Sequence, residues 1–290
     1  MPTDIRARLQ LQAQPEMSEN GERYSADCLH RYEVAAKQVR CVLNVAYGDD
    51  PQQKLDIFMP GNPSASDLPV IIFLHGGGWT NGYKEWSALL APTATAMPAI
   101  LVCPSYRLIP AVRFPTPVRD GIAALKWVRG HIGAFGGSPD KVFVAGHSAG
   151  GQIAAHIALE QSLLAEQGLA TDAVRGCFCV SATFNRRMVS PRIAPDHVPA
   201  GDPQAIQPDS PLALAKTAKV PFLITWGGAE DERLFRTGQE MQEQLQQAGC
   251  PIQTHVFPDK GHFDMHLDLG VDGHESVALL AQWIRKILLA

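Results

Sequence analysis

Eight short, mainly apolar runs recur along the chain, separated by stretches in which apolar residues return every three or four positions. The runs are Gln38–Ala46, Leu55–Met59, Pro69–His75, Ala99–Pro104, Lys141–Ala145, Gly176–Ser181, Val220–Trp226 and Ile252–Phe257. Their shortness and their turn-forming Gly, Pro and Asn flanks predict β-strands. Within them Val70–Leu74, Ile100–Val102, Val142–Ala145 and Phe222–Thr225 carry almost no polar position. Strands buried on both faces read this way. Helical periodicity falls between them. Pro117–Ile132 presents Val118, Ile122, Leu125 and Val128 on one face, Gln152–Glu160 follows a glycine-rich turn, and Leu234–Ala248 ends at Gly249. Val277–Leu289 reads as a strongly apolar amphipathic helix. Strands alternating with helices predict an α/β fold with a mostly parallel central sheet flanked by helices.

Two stretches depart from the alternation. Residues 1–37 read as helical or irregular material, charged and mixed, and residues 183–218 are proline-rich, contain the pair Arg186 and Arg187, and show no clean periodicity. A long irregular insertion in a compact domain is usually functional, often a lid. Residues 1–290 are therefore expected to form one α/β domain, with 1–37 and 183–218 building a small cap; 290 residues suit that size.

Composition narrows the class. A net charge of −4, with both signs scattered and no basic block interleaved with aromatics, argues against nucleic acid as a partner. The longest apolar runs are too short to span a bilayer, so no membrane partner is expected. Met1-Pro2-Thr3-Asp4-Ile5-Arg6 lacks the apolar core of a signal peptide. The six cysteines are spread without metal-binding spacing and mostly lie in apolar runs. They are read as free thiols of a cytoplasmic protein. A homodimer is one assembly such a chain can form.

The chemistry concentrates in a few places. Gly146-His147-Ser148-Ala149-Gly150 directly follows the run Val142–Ala145. Glycines two before and two after a serine leave room for a strained strand-to-helix turn that lifts the hydroxyl above the sheet. The amide of Ala149 and the helix N-terminus then face the spot where negative charge is welcome. A second signal, His75-Gly76-Gly77-Gly78-Trp79, ends the run Pro69–Leu74. Its glycines expose backbone amides, and a tetrahedral oxyanion needs two or three such donors. A phosphate cradle is the rival reading, but no Lys-Ser/Thr follows.

A general base should come last in chain order. His262, in Pro258-Asp259-Lys260-Gly261-His262-Phe263, lies just past the last strand. His266 is its nearest rival, and pairing of the two on a metal would need a third ligand to complete the set; none stands at a suitable spacing, so no metal or cofactor is expected. His147 sits inside the turn, and His75 is read as structural, fixing the glycine loop. The orienting acid should follow the penultimate strand, where Glu230 and Asp231 are adjacent. The acid must hold one imidazole nitrogen so that the other is free to take the serine proton. On this argument the two carboxylates are nearly even.

With these residues in view, the chain resembles the α/β-hydrolase superfamily from about Val39 onward, and within it esterases akin to hormone-sensitive lipase and kynurenine formamidase. His75–Trp79 is similar to their oxyanion motif, Ser105-Tyr106-Arg107-Leu108 with Phe114-Pro115 and Asp120 to a second block, and Gly146–Gly151 to their nucleophile turn. Ala46-Tyr47-Gly48 with Leu55-Asp56-Ile57, Gly227–Glu230 and Gly261-His262-Phe263-Asp264 resemble the formamidase branch. The resemblance implies Ser148 as nucleophile, His262 as base, and Gly77, Gly78 and Ala149 as oxyanion donors. It also implies Glu230 as the acid, by its distance from the proline that opens the strand; alignment on Phe235 favours Asp231 instead. The chain departs from the lipase-like pattern at His147, where that group often has Asp, and at Ile109-Pro110-Ala111-Val112, where it has an acidic residue.

The expected activity is that of a serine hydrolase cleaving carboxylic esters of small acyl or aryl substrates through an acyl-enzyme. Trp79, Trp86 and Phe184 suggest an apolar substrate pocket, with Trp79 and Phe184 the chosen contacts; a purely core role is the other reading. An arylformamidase acting on N-formyl aryl amides would use the same atoms. A non-catalytic binding protein is the third reading, and it usually shows a missing member of the triad.

Overall fold

The computed structural model describes residues 4–185 and 209–290. The pair Arg186 and Arg187 and most of the expected cap segment 183–218 lie outside the described residues. All eight apolar runs become strands of one sheet, in the order β1-β2-β4-β3-β5-β6-β7-β8. They are β1 (Arg40–Ala46), β2 (Lys54–Met59), β3 (Leu68–Leu74), β4 (Ile100–Pro104), β5 (Gly137–His147), β6 (Gly176–Val180), β7 (Phe222–Gly227) and β8 (Ile252–Phe257). β1–β2 and β2–β4 pair antiparallel; from β4 through β3 to β8 every pairing is parallel.

The apolar runs behave as strands covered on both faces. Val70, Ile72 and Leu74 of β3 enter one apolar cluster, while Ile71 and Phe73 enter the other. The first cluster lies under the helices Thr116–His131 and Ala149–Leu159, which contribute Val118, Ile122, Leu125, Val128, Ile153 and Ile157. The second lies under Glu19–Gln38 and Glu275–Leu289, through Tyr24, Cys28, Leu29, Tyr32, Leu280, Trp283 and Ile284. Each such side chain gains about 1.5–3 kcal/mol by leaving water, so the sheet is clamped from both sides.

Of the two readings of the N-terminal stretch, helical or irregular, the helical one holds for most of it. Glu19–Gln38 forms a helix because Ser18 accepts the amide of Gly21, acidic Glu19 and Glu22 occupy the first turn, and Lys37 the last. Its buried residues recur at helical spacing: Tyr24, Cys28, Leu29, Tyr32 and Ala35. Ahead of it, Arg6 donates to Glu22 (2.6 Å) and to Ser25 (3.0 Å), which ties the residues before the helix back onto it.

Four strand ends of this sheet matter for chemistry. β3 and β5 are neighbours, with Leu74 opposite Gly146, so the glycine loop after β3 and the serine turn after β5 emerge side by side. β7 and β8, toward the other edge, deliver the loops that carry Glu230 and His262.

Candidate active site

β5 ends at His147, and the helix Ala149–Leu159 begins almost at once, three residues earlier than the sequence pattern indicates. Ser148 alone makes the turn, at φ 54° and ψ −120°. Such a conformation costs a non-glycine residue about 1–3 kcal/mol. The flanking glycines make it sterically feasible. A Cβ on Gly150 would lie 2.2 Å from the carbonyl oxygen of Leu74, and one on Gly146 would lie 2.4 Å from the backbone of Gly150. The Ser148 amide donates to the carbonyl of Val180 (2.9 Å), anchoring the turn to β6.

The hydroxyl of Ser148 donates to His262 Nε2 (3.0 Å), and His262 Nδ1–H donates to Glu230 Oε2 (3.1 Å). The imidazole is 28% exposed, whereas the Glu230 side chain has no exposed surface. Oε1 of that carboxylate accepts the Gly227 amide (2.7 Å) and the Ser181 hydroxyl. Both Glu230 oxygens are thus satisfied, as a buried charge requires. Asp231 does something else. Its side chain accepts the amide of Arg233 (2.9 Å), caps the helix Glu232–Gln247 and forms a two-pronged ion pair with the Arg233 guanidinium. Those bonds to Arg233 pull its carboxyl down to about 2.

After β3 the chain turns back through Gly77 (φ 113°), Gly78 (φ 62°) and Trp79 (φ 62°). A Cβ on Gly77 would sit 2.1 Å from the Asn81 carbonyl oxygen, so no other residue fits there. The Gly77 carbonyl accepts the amides of Thr80 (3.2 Å) and Asn81 (2.9 Å). Among the described residues, the amides of Gly77, Gly78 and Ala149 have no acceptor. Gly76 packs so tightly on the serine turn that an added Cβ would lie 3.2 Å from Ser148 Cβ.

Three further imidazoles surround this line, and each is buried. His75 Nδ1–H donates to the Gly76 carbonyl (2.7 Å), and its ring stacks on Tyr106 (4.2 Å between centroids). Burial pushes it down to about 4. His147 turns away from Ser148, and its Nε2–H donates to the backbone carbonyl of His262 (2.9 Å). Burial, with His262 and His266 close by, holds it well below the usual imidazole range. His266, the rival base, is fully buried, hydrogen-bonds the Tyr24 hydroxyl (2.7 Å) and stacks on His147. Burial lowers it to about 3.

Trp79 is 8% exposed and Phe184 is fully buried; both belong to the first apolar cluster. Trp86 lies in the second cluster, against Tyr24 and Tyr83, on the sheet face remote from the first. Gly227, named above in the stretch Gly227–Glu230, donates its amide to Glu230, whereas Ser181, which donates to the same carboxylate, and Tyr24, whose ring stacks on Phe263 at 4.4 Å, escaped the sequence reading. Ser181 stands at a strand end beside the site, a position that would have marked it; Tyr24 lies too far away in sequence to carry a local signal.

A family model described as alpha/beta hydrolase fold matches residues 71–266, more than half of the chain. The chain belongs to this family. A probable isoprenylcysteine alpha-carbonyl methylesterase of Arabidopsis thaliana is 37% identical over 251 residues, covering 77% of this chain and 51% of that protein. The esterase LipC of Mycobacterium tuberculosis is 29% identical over 208 residues, covering 64% of this chain and 50% of that protein. The chain thus spans about half the length of these relatives. The solved esterase of Pyrobaculum calidifontis superposes with a TM-score of 0.72 at 22% identity, covering 100% of both chains. This likeness establishes the fold: a mostly parallel eight-stranded sheet flanked by helices, the arrangement of α/β-hydrolases. Among the described residues no cluster of three or more His, Cys, Asp or Glu is placed to hold a metal ion. Nor is any helix among them long and apolar enough to cross a membrane.

Proposed function

We propose that the protein is a serine hydrolase that cleaves carboxylic esters of small acyl or aryl substrates through an acyl-enzyme. The carrying observation is the unbroken hydrogen-bonded line from Ser148 Oγ through His262 to the buried Glu230. In this reading Ser148 Oγ attacks the ester carbonyl carbon while His262 Nε2 takes its proton. The carbonyl oxygen becomes an oxyanion held by the amides of Gly77, Gly78 and Ala149. The C–O bond to the alcohol then breaks, and His262 returns the proton to the departing oxygen. Water repeats the sequence on the acyl-serine, releasing the carboxylic acid and restoring the hydroxyl. Glu230 holds His262 Nδ1–H through its hydrogen bond and steadies the imidazolium.

The relatives named as esterases support ester over formamide as the scissile bond, and the intact Ser-His-Glu line speaks against a purely ligand-binding role. We read residues 1–37 and 183–218 as cap segments of one domain, with Trp79 and Phe184 beside the acyl pocket. The six free cysteines, five of them buried, support a reducing, cytoplasmic setting.

The test is direct. Ser148→Ala should lower kcat on the order of 10⁶-fold with the fold retained, and a fluorophosphonate should add mass to the wild type at Ser148. An active alanine variant, or labelling elsewhere, would refute the assignment. Comparing a short-chain ester with an N-formyl aryl amide on the same preparation separates esterase from formamidase.

A further inference from the structure

The residues ahead of the first long helix touch the site's glycine loop in an unusual way. The side-chain amide of Gln14 copies a strand partner: Nε2–H donates to the Gly82 carbonyl (2.7 Å), and Oε1 accepts the Gly82 amide (2.7 Å). On either side, Asn81 Nδ2–H donates to the Pro15 carbonyl (2.7 Å) and the Tyr83 hydroxyl to the Gln12 carbonyl (2.8 Å). Three consecutive loop residues are therefore held by one short segment nearly seventy positions earlier in the chain.

Gly82 passes this hold inward. It sits at φ +107°, and a Cβ there would lie 2.2 Å from His75 Nδ1 and 2.4 Å from the Gly76 carbonyl oxygen. Its backbone is thus packed directly on the start of the loop that carries the acceptor-free amides of Gly77 and Gly78. Asn81, its neighbour, donates its amide to the Gly77 carbonyl (2.9 Å), which fixes the peptide plane next to those donors. Loops have few internal ways to resist rotation of a glycine peptide, so an external anchor decides the donor angle.

We infer that Gln14 is a positioning residue for the oxyanion amides, acting through Gly82 and Asn81. The inference rests on the proposed role of Gly77 and Gly78 as oxyanion donors. Gln14 touches neither substrate nor reacting atoms, so its removal should weaken transition-state binding and leave ground-state binding alone.

The experiment compares wild type, Gln14→Ala and the near-isosteric, non-hydrogen-bonding Gln14→Leu on a p-nitrophenyl ester of a short acid. Both variants should lose about tenfold in kcat with KM unchanged, a fraction of the ~10²–10³ that follows loss of a whole donor. The Ki of an aryl trifluoromethyl ketone, which forms a reversible hemiketal oxyanion on the serine, should rise by the same factor. Unchanged kcat, a rise in KM alone, or an unchanged Ki would overturn the inference. So would a loss of activity matched by an equal loss of folded protein in circular dichroism. Fluorophosphonate labelling of wild-type Ser148 separates the two readings: labelling with unaffected Gln14 variants sinks this inference alone, and no labelling sinks the proposed function.

Discussion

Replacing Glu230 by Gln removes one charge and almost no volume, and the surrounding bonds dictate how the new amide must sit. The Oε1 position faces the Gly227 amide, which can only donate, at 2.7 Å, and the Ser181 hydroxyl alongside it. The glutamine oxygen must take that place, so its NH₂ group faces His262 Nδ1. An NH₂ donates, which forces Nδ1 to accept and puts the imidazole proton on Nε2. The nitrogen 3.0 Å from Ser148 Oγ is then a donor and cannot receive the serine proton. A wrong tautomer of this kind, the Asp-to-Asn change in the serine-protease triad, costs about 10⁴ in kcat, or roughly 5.4 kcal/mol in the barrier. We expect a comparable loss here. Asp231→Asn is the matched control. That carboxylate is 48% exposed, caps a helix and pairs with Arg233, and Asn caps almost as well as Asp, so activity should stay within about twofold. The assay is steady-state hydrolysis of a chromogenic ester on both variants, with circular dichroism to confirm the fold. A Glu230→Gln enzyme within tenfold of wild type, or an Asp231→Asn enzyme that loses more, would refute the tautomer argument.

Two other perturbations test the surroundings of the site. Gly146→Ala places a Cβ 2.4 Å from the Gly150 backbone, so the serine turn must shift; kcat should fall by about 10² or more, since a displacement near 1 Å costs that much, and unchanged kinetics would contradict the packing. Stability should fall with acid because buried His75 and His266 titrate near 4 and 3 when folded, against about 6.5 in the unfolded chain. Between those values the unfolded state binds more protons, so stability rises with pH across the window and is lost as pH drops below about 6.5. Each group should cost about 2 kcal/mol at pH 5, measurable by urea unfolding at pH 5 and pH 7.5; equal midpoints would show that the two rings are not held neutral.

Much of this architecture could be read from the chain, for identifiable reasons. Continuous apolar runs such as Val70–Leu74 leave no alternative to a strand covered on both sides, and all eight runs pair in one sheet. The serine turn was legible because glycine is the only residue that fits at Gly146 and Gly150. Which carboxylate meets His262 was not legible from spacing alone. Glu230 and Asp231 are adjacent, and what separates them is the donors around each: Gly227 and Ser181 for one, Arg233 for the other. The N-terminal segment was opaque for a related reason. Its informative contacts, Gln14 to Gly82 and Tyr24 to His266, join residues remote in sequence, and no periodicity encodes such a pairing. Trp86 was ambiguous because a tryptophan near a glycine loop can be a pocket wall or core, and only the packing of the short helix Lys84–Ser87 puts its ring in the second apolar cluster.

The parts of the site are not anchored with equal firmness. The serine turn and the glycine loop grow from β5 and β3, inner strands with pairing partners on both sides. His262 follows β8, the last strand of the sheet, which has a partner on one side only and residues that are mostly half-exposed. Strand edges fray at a smaller free-energy cost than the interior. The link from the His147 ring to the His262 carbonyl therefore works as a tether, lashing the base to the rigid centre of the molecule. On the proposed assignment, warming should therefore loosen His262 before it loosens Ser148 and the glycine loop, and ester hydrolysis should be lost at a lower temperature than the circular dichroism of the sheet.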